Sequence, residues 1–70
     1  MAKTYEELIA ITGGRVEPMD EAVRMLTQRE AGKKTFWKIH DLYAEFAETG
    51  NMETFEEIST MLQEITGYRI

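Results

Sequence analysis

The sequence predicts an all-α protein, a compact bundle of four short helices. Apolar residues recur at helical spacing in four segments, and no segment alternates apolar and polar residues well enough to form a full strand. Glycines expected to act as left-handed C-terminal caps close these segments, at Gly13, Gly32, Gly50 and Gly67. The predicted helices are 5–12, 18–31, 36–49 and 55–66, and their short connections favour antiparallel packing.

The first helix is predicted to begin after Thr4 and to run over residues 5–12. Thr4 and Glu7 have the spacing of a capping box, in which each side chain accepts a hydrogen bond from the other residue's backbone N–H. Tyr5, Leu8, Ile9 and Thr12 share one face. A helix of about two turns is not stable alone, so tertiary contacts must hold it.

The second helix is predicted over residues 18–31 because proline suits the first helical position, where its missing N–H has no partner. Acidic residues surround its start and Arg29 lies near its end, as the helix dipole favours. Its inward-facing residues are Met19, Ala22, Val23 and Leu26.

The third helix, 36–49, has its apolar side formed by Phe36, Ile39, Tyr43, Phe46 and Ala47. The fourth, 55–66, has the clearest apolar stripe, formed by Phe55, Ile58, Met61, Leu62 and Ile65. Thr54 and Glu57 are predicted to form a second capping box at its start.

Seventy residues without a cysteine make a single helical domain, 1–70, and exclude disulfides and thiolate metal sites. Packing and self-association are the supports left to so small a fold, and a homo-oligomer is compatible with the sequence. The longest uncharged apolar stretch, 8–11, is far too short to span a membrane, and the N-terminus has no signal-peptide core. We therefore expect a cytoplasmic protein that has no membrane partner.

Charge is unevenly distributed along the chain. Residues 24–40 contain five basic residues and one acid, whereas the rest contains three basic residues and twelve acids. The net charge of −5 argues against a protein whose main role is to hold nucleic-acid phosphates.

Two segments of the chain resemble each other. Residues 8–16 (LIAITGGRV) align without gaps to residues 62–70 (LQEITGYRI), with five of nine positions identical. Glycine capping of an apolar helix accounts for part of this match, but not for the arginine and β-branched residue that follow each time. Residues 15–16 and 69–70 could form a minimal two-stranded pairing or pack equivalently, and Arg15 and Arg69 could contact an anion or carboxylate.

Motifs of catalysis, cofactor binding and metal binding were not found. The chain has no phosphate loop, dinucleotide fingerprint, zinc-type histidine pair or EF-hand loop. The acidic clusters mostly fall in first helical turns, where capping and the helix dipole explain them, and His40 is expected to be a half-buried structural residue. We expect a protein without catalytic residues, cofactor or metal.

Trp37 is the most informative candidate for binding. It lies beside Lys33, Lys34 and Lys38, and an aromatic side chain surrounded by charge is typical of a protein contact; the alternative is that Trp37 closes the edge of the core. The leading hypothesis is a small acidic protein-binding module, an adaptor, regulator or inhibitor of the kind encoded by phages and mobile elements and directed at a host protein complex. Its predicted contact residues are Lys33, Lys34, Trp37, Lys38, Arg15 and Arg69.

Two alternatives remain open. Residues 22–40 could form a helix-turn-helix that binds nucleic acid, but Phe36 and Trp37 occupy positions where polar base-reading side chains are expected, and Glu45 and Glu48 would face phosphate. The other alternative is a self-assembling structural component, in which apolar stripes complete a core across a symmetric interface.

Overall fold

The computed structural model describes residues 2–29 and 34–70, apart from the side chain of Thr35. These residues form α1 (Tyr5–Thr12), α2 (Val16–Arg29), α3 (Lys34–Thr49) and α4 (Met52–Thr66). The prediction of a helical bundle is therefore confirmed. The described ranges contain no helix long and apolar enough to cross a membrane.

The predicted pairing of residues 15–16 with 69–70 is wrong, since no strand occurs in the part of the chain that the structure describes. Arg15 lies in the turn before α2, and Val16 is the first residue of that helix. The N–H of Val16 donates to Thr12 Oγ1 at 3.0 Å, and the N–H of Arg15 donates to the carbonyl of Thr12 at 3.3 Å. Both donors are therefore used within the turn and cannot join a strand.

The start of α1 agrees with its sequence signal. Glu7 N–H donates to Thr4 Oγ1 and Thr4 N–H donates to Glu7 Oε1, both at 3.2 Å, so the predicted capping box is confirmed. Gly13 follows the helix at φ +63°, a left-handed conformation that glycine adopts without a steric penalty.

Helix α2 begins two residues before the predicted position, at Val16. Its first turn is supported by the end of α1 and the following turn: Thr12 Oγ1 accepts from the N–H of Val16, and the carbonyl of Gly14 accepts from the N–H of Glu17 at 3.3 Å. Pro18 is consequently the third helical residue, which is still among the positions whose N–H has no intrahelical partner. The predicted end of this helix at Ala31 and the predicted cap at Gly32 lie outside the described residues.

Helices α3 and α4 also begin earlier than predicted, at Lys34 and Met52. The expected capping box of Thr54 and Glu57 is wrong, because Asn51 caps α4 and its Oδ1 accepts from the N–H of Glu53 at 2.9 Å. Asparagine is among the most favoured N-cap residues. Thr54 is instead a buried residue within the helix.

The core draws side chains from all four helices. Phe46 of α3 and Phe55 of α4 pack with ring centroids 5.1 Å apart, and these two helices share the most extensive contact in the fold. Helix α2 packs against both α1 and α3. The buried apolar residues are Leu8, Val16, Met19, Val23, Leu26, Phe36, Ile39, Phe46, Phe55, Ile58 and Leu62.

Candidate protein-binding surface and arginine cluster

Trp37 lies on the surface, with 55% of its area exposed. Its indole packs edge-on against Phe36, with centroids 5.3 Å apart, and against His40, with centroids 5.9 Å apart. Phe36 is itself buried in the core, whereas His40 is exposed. Trp37 therefore packs against a core residue on one side and exposes more than half of its area to solvent.

Two of the lysines predicted to accompany Trp37 are exposed near it at the start of α3. Lys34 and Lys38 are both exposed, and Lys34 lies one turn before both Trp37 and Lys38. Trp37 and Lys38 are consecutive, so their side chains leave the helix about 100° apart. We call Lys34, Trp37 and Lys38 the α3 surface. Lys33 lies outside the described residues.

The charges of α3 are not arranged to stabilise the helix. The first turn has no acidic residue and contains Lys34, whereas the last turn has no basic residue and contains Glu48. The helix dipole favours the opposite arrangement, with acids at the N-terminus and bases at the C-terminus. The helix dipole therefore does not account for Lys34 at the start of α3.

Arg15 makes three contacts at the start of α2. Its Nη1 lies 2.7 Å from Glu56 Oε1, and its Nη2 donates to the main-chain oxygen of Ile70 at 2.8 Å. The guanidinium also lies over the ring of Phe55, 4.7 Å from the centroid. Arg15 therefore connects the loop before α2 to α4 and to the C-terminal segment 67–70.

Arg69 reaches the same carboxylate from the other side. Its Nη2 lies 2.9 Å from Glu56 Oε2, and its Nη1 donates to Gln63 Oε1 at 3.2 Å. Each oxygen of Glu56 thus has its own arginine, and we call this the Arg15–Glu56–Arg69 cluster. The hydrogen bond from Arg15 and the charges of both arginines lower the pKa of Glu56 below its ordinary value, against a smaller opposing effect of desolvation.

The repeated segments are explained by this geometry. Thr12 and Thr66 each donate to the carbonyl four residues earlier, at 2.8 and 2.7 Å, and each accepts a main-chain N–H from beyond the glycine. Gly13 and Gly67 both adopt left-handed caps. The two arginines then converge on Glu56. The repeat therefore encodes two similar helix ends whose arginines meet on one side of α4. That Arg15 and Arg69 also contact a partner stays a prediction.

Sequence reasoning missed Glu56 and the neighbouring Ser59, and it considered Ile70 only as part of a pairing with residues 15–16. Ser59 Oγ donates to the main-chain oxygen of Ile70 at 2.9 Å, beside the contact from Arg15. A helix over 55–66 would place Glu56 in its first turn, where acids are expected, but α4 begins at Met52 and places it in the second turn. No local signal identifies these residues, because their partners are distant in sequence.

A shallow depression of about 680 Å³ lies between α3 and the outer face of α4. Lys38 and Glu56 both line it, so a side chain of the α3 surface and one of the arginine cluster border the same feature. The remaining lining residues are Met52, Glu53, Glu57, Thr60 and Met61. Among the residues that the structure describes, no group of three or more histidine, cysteine, aspartate or glutamate side chains is placed to hold a metal ion.

The α3 surface and the arginine cluster are thus the two places where candidate residues come together. Comparison of the chain with protein-family models, curated proteins and solved structures finds no match.

Proposed function

We propose that this chain is a non-enzymatic protein-binding module, an adaptor, regulator or inhibitor, that docks a partner protein through the α3 surface. The observation that carries the proposal is Trp37, which exposes 55% of its area while packing against Phe36 and His40. Tryptophan is enriched among residues that dominate binding energy at protein interfaces. A side chain held in position before binding loses less conformational entropy on docking.

Charge indicates what kind of partner surface fits. Lys34 and Lys38 adjoin Trp37 on a chain whose net charge is −5. An acidic partner would be repelled by most of the molecule and attracted at this face, which favours one docking orientation. The proposed partner surface therefore has an apolar pocket for the indole, bordered by carboxylates.

Affinity capture from the native host, followed by mass spectrometry, identifies the partner, and titration calorimetry with the purified partner then tests the surface. Trp37→Ala is expected to weaken binding about 30-fold, as for a typical interface hot spot. Lys34→Glu should also weaken it and reduce its dependence on salt. Tyr68→Ala is the matched control, since Tyr68 is another exposed aromatic residue and lies outside the α3 surface.

The proposal is wrong if Trp37→Ala and Tyr68→Ala change the affinity equally while both variants keep their helical content. Binding to a nucleic-acid duplex in a gel shift at about 50 mM salt, where phosphate contacts are strongest, would favour the helix-turn-helix alternative. A concentration-dependent oligomer in light scattering, lost in Trp37→Ala, would instead assign the α3 surface to self-assembly.

A further inference from the structure

A second surface, separate from the α3 surface, has the character of a ligand site. A groove of about 490 Å³ lies between the second half of α2 and the end of α4, and the C-terminal segment 67–70 borders it. We infer that this groove binds a small amphiphilic anion, an apolar chain or ring system bearing a carboxylate. The lining residues that carry the argument are Met25, Arg29, Ile65, Tyr68 and Ile70.

The walls of the groove are apolar and exposed. Met25, Ile65 and Tyr68 have 50%, 42% and 77% of their areas exposed, and they are three of the six large hydrophobic side chains that are exposed in the described ranges. Small-molecule sites are typically concave, mostly apolar and about 300–1,000 Å³ in volume, with a few polar groups that fix the ligand's orientation. The groove fits this description.

The positive charge of Arg29 in the groove favours an anionic ligand. Among the described residues that line the groove, Arg29 is the only one with a charged side chain, on a chain with a net charge of −5. The protein as a whole repels anions, so any preference for an anion must come from a local positive group. The planar guanidinium of arginine is well suited to a carboxylate, to which it can donate two parallel hydrogen bonds.

The groove is formed by the fold before any ligand is present. Ile70 bridges the loop before α2 and the middle of α4, because Arg15 and Ser59 both donate to its main-chain oxygen, at 2.8 and 2.9 Å. Its side chain also packs against the core. The C-terminal segment therefore lies between the two helices and forms one wall of the groove, so a ligand does not have to separate packed side chains to enter.

The test compares three ten-carbon amphiphiles that differ in head group: decanoate, decanol and decyltrimethylammonium, each below its micelle concentration. Binding is followed by chemical-shift changes of backbone amides. Decanoate is expected to bind most tightly, with the largest changes in the last two turns of α2 and in residues 65–70. Arg29→Gln should weaken decanoate about tenfold, the worth of one charge-assisted hydrogen bond at a partly exposed site, and leave decanol unchanged.

Arg24→Gln is the matched control, because it removes the same charge from the same helix but changes a residue that pairs with Asp20 and does not line the groove. Ile65→Glu is a second variant, whose new carboxylate should exclude decanoate. Equal affinities for the three amphiphiles, changes centred on Trp37, equal effects of the Arg24 and Arg29 substitutions, or no binding would each overturn the inference. The groove does not include the α3 surface, so failure of this inference does not contradict the proposed function.

Discussion

Arg15 and Arg69 bind the two oxygens of a single carboxylate, that of Glu56, at 2.7 and 2.9 Å. The two arginines occupy equivalent positions in the repeated segments, three residues after Thr12 and Thr66. Arg15 also holds the main-chain oxygen of Ile70 and lies over Phe55, whereas the second contact of Arg69 is with Gln63. The cluster is therefore similar in sequence at its two ends but asymmetric in its contacts.

This asymmetry predicts how three substitutions in the cluster affect the melting temperature. Arg15→Gln should lower the melting temperature more than Arg69→Gln, because it also removes the contacts to Ile70 and Phe55. Glu56→Gln should have a modest effect, since its ion pairs are partly exposed and screened by solvent. Thermal unfolding followed by circular dichroism measures all three, and a larger loss for Arg69→Gln would contradict the assignment.

The cluster also predicts how stability depends on pH. The hydrogen bond from Arg15 and the arginine charges lower the pKa of Glu56 in the folded protein below its ordinary value of 4.5. The carboxylate thus stabilises the fold above that value, and this contribution disappears as the pH falls through the lowered pKa. The melting temperature of the wild-type protein should therefore fall more steeply than that of Glu56→Gln between about pH 5 and about pH 3.

Glu7 provides an independent comparison, because hydrogen bonds from the backbone and side chain of Thr4 lower its pKa too. Glu7→Gln should remove its own share of the acid dependence and leave that of Glu56. Identical pH profiles for the wild-type protein and both variants would show that neither carboxylate is stabilised in the folded state.

Phe46 should be essential to the fold, whereas Trp37 should not. Phe46 is fully buried against Phe55, and truncating a buried phenylalanine to alanine costs about 3–5 kcal/mol. A fold of this size rarely has more than about 3–5 kcal/mol of stability from its core. Phe46→Ala is therefore expected to unfold most of the population in buffer, as measured by far-UV circular dichroism and urea titration. Trp37→Ala should keep its helical signal, and a comparable loss there would place Trp37 in the core.

Gly50 should tolerate a side chain less well than Gly13. Both have left-handed backbones, at φ +70° and +63°, where a non-glycine residue costs about 1–2 kcal/mol. A Cβ at Gly50 would also lie 2.9 Å from Ile11 Cδ1 and 2.8 Å from Lys3 Cε, whereas a Cβ at Gly13 meets nothing within 4 Å. Gly50→Ala should therefore lower the urea midpoint more than Gly13→Ala, and equal midpoints would show that Lys3 and Ile11 move aside at no cost.

Much of the helical pattern could be predicted from sequence because its signals act over a few residues. The capping box at Thr4, the glycine at position 13 and the apolar spacing of the core residues each depend on neighbours within about one or two turns. Helix boundaries were harder to predict where two nearby residues could each act as the N-cap. Asn51 and Thr54 are both capable N-caps, and the burial of Thr54 within α4, a tertiary property, decides between them.

The candidate surfaces were also predictable only in part from the sequence. The sequence identified Trp37 and its lysines, but the exposure of Trp37 depends on which helices cover the edge of α3. The groove beside Arg29 was not predicted, because it exists only where α2, α4 and the C-terminal segment come together.

The sequence by itself determined the all-helical class, the order of the four helices and the similarity of the two arginine-containing helix ends. Only the tertiary structure decided that those ends meet on Glu56 rather than pairing as strands. The physical reason is that backbone hydrogen bonding and capping are local, whereas the partners of Arg15 and Ile70 are brought together by packing of residues that lie far apart in the chain.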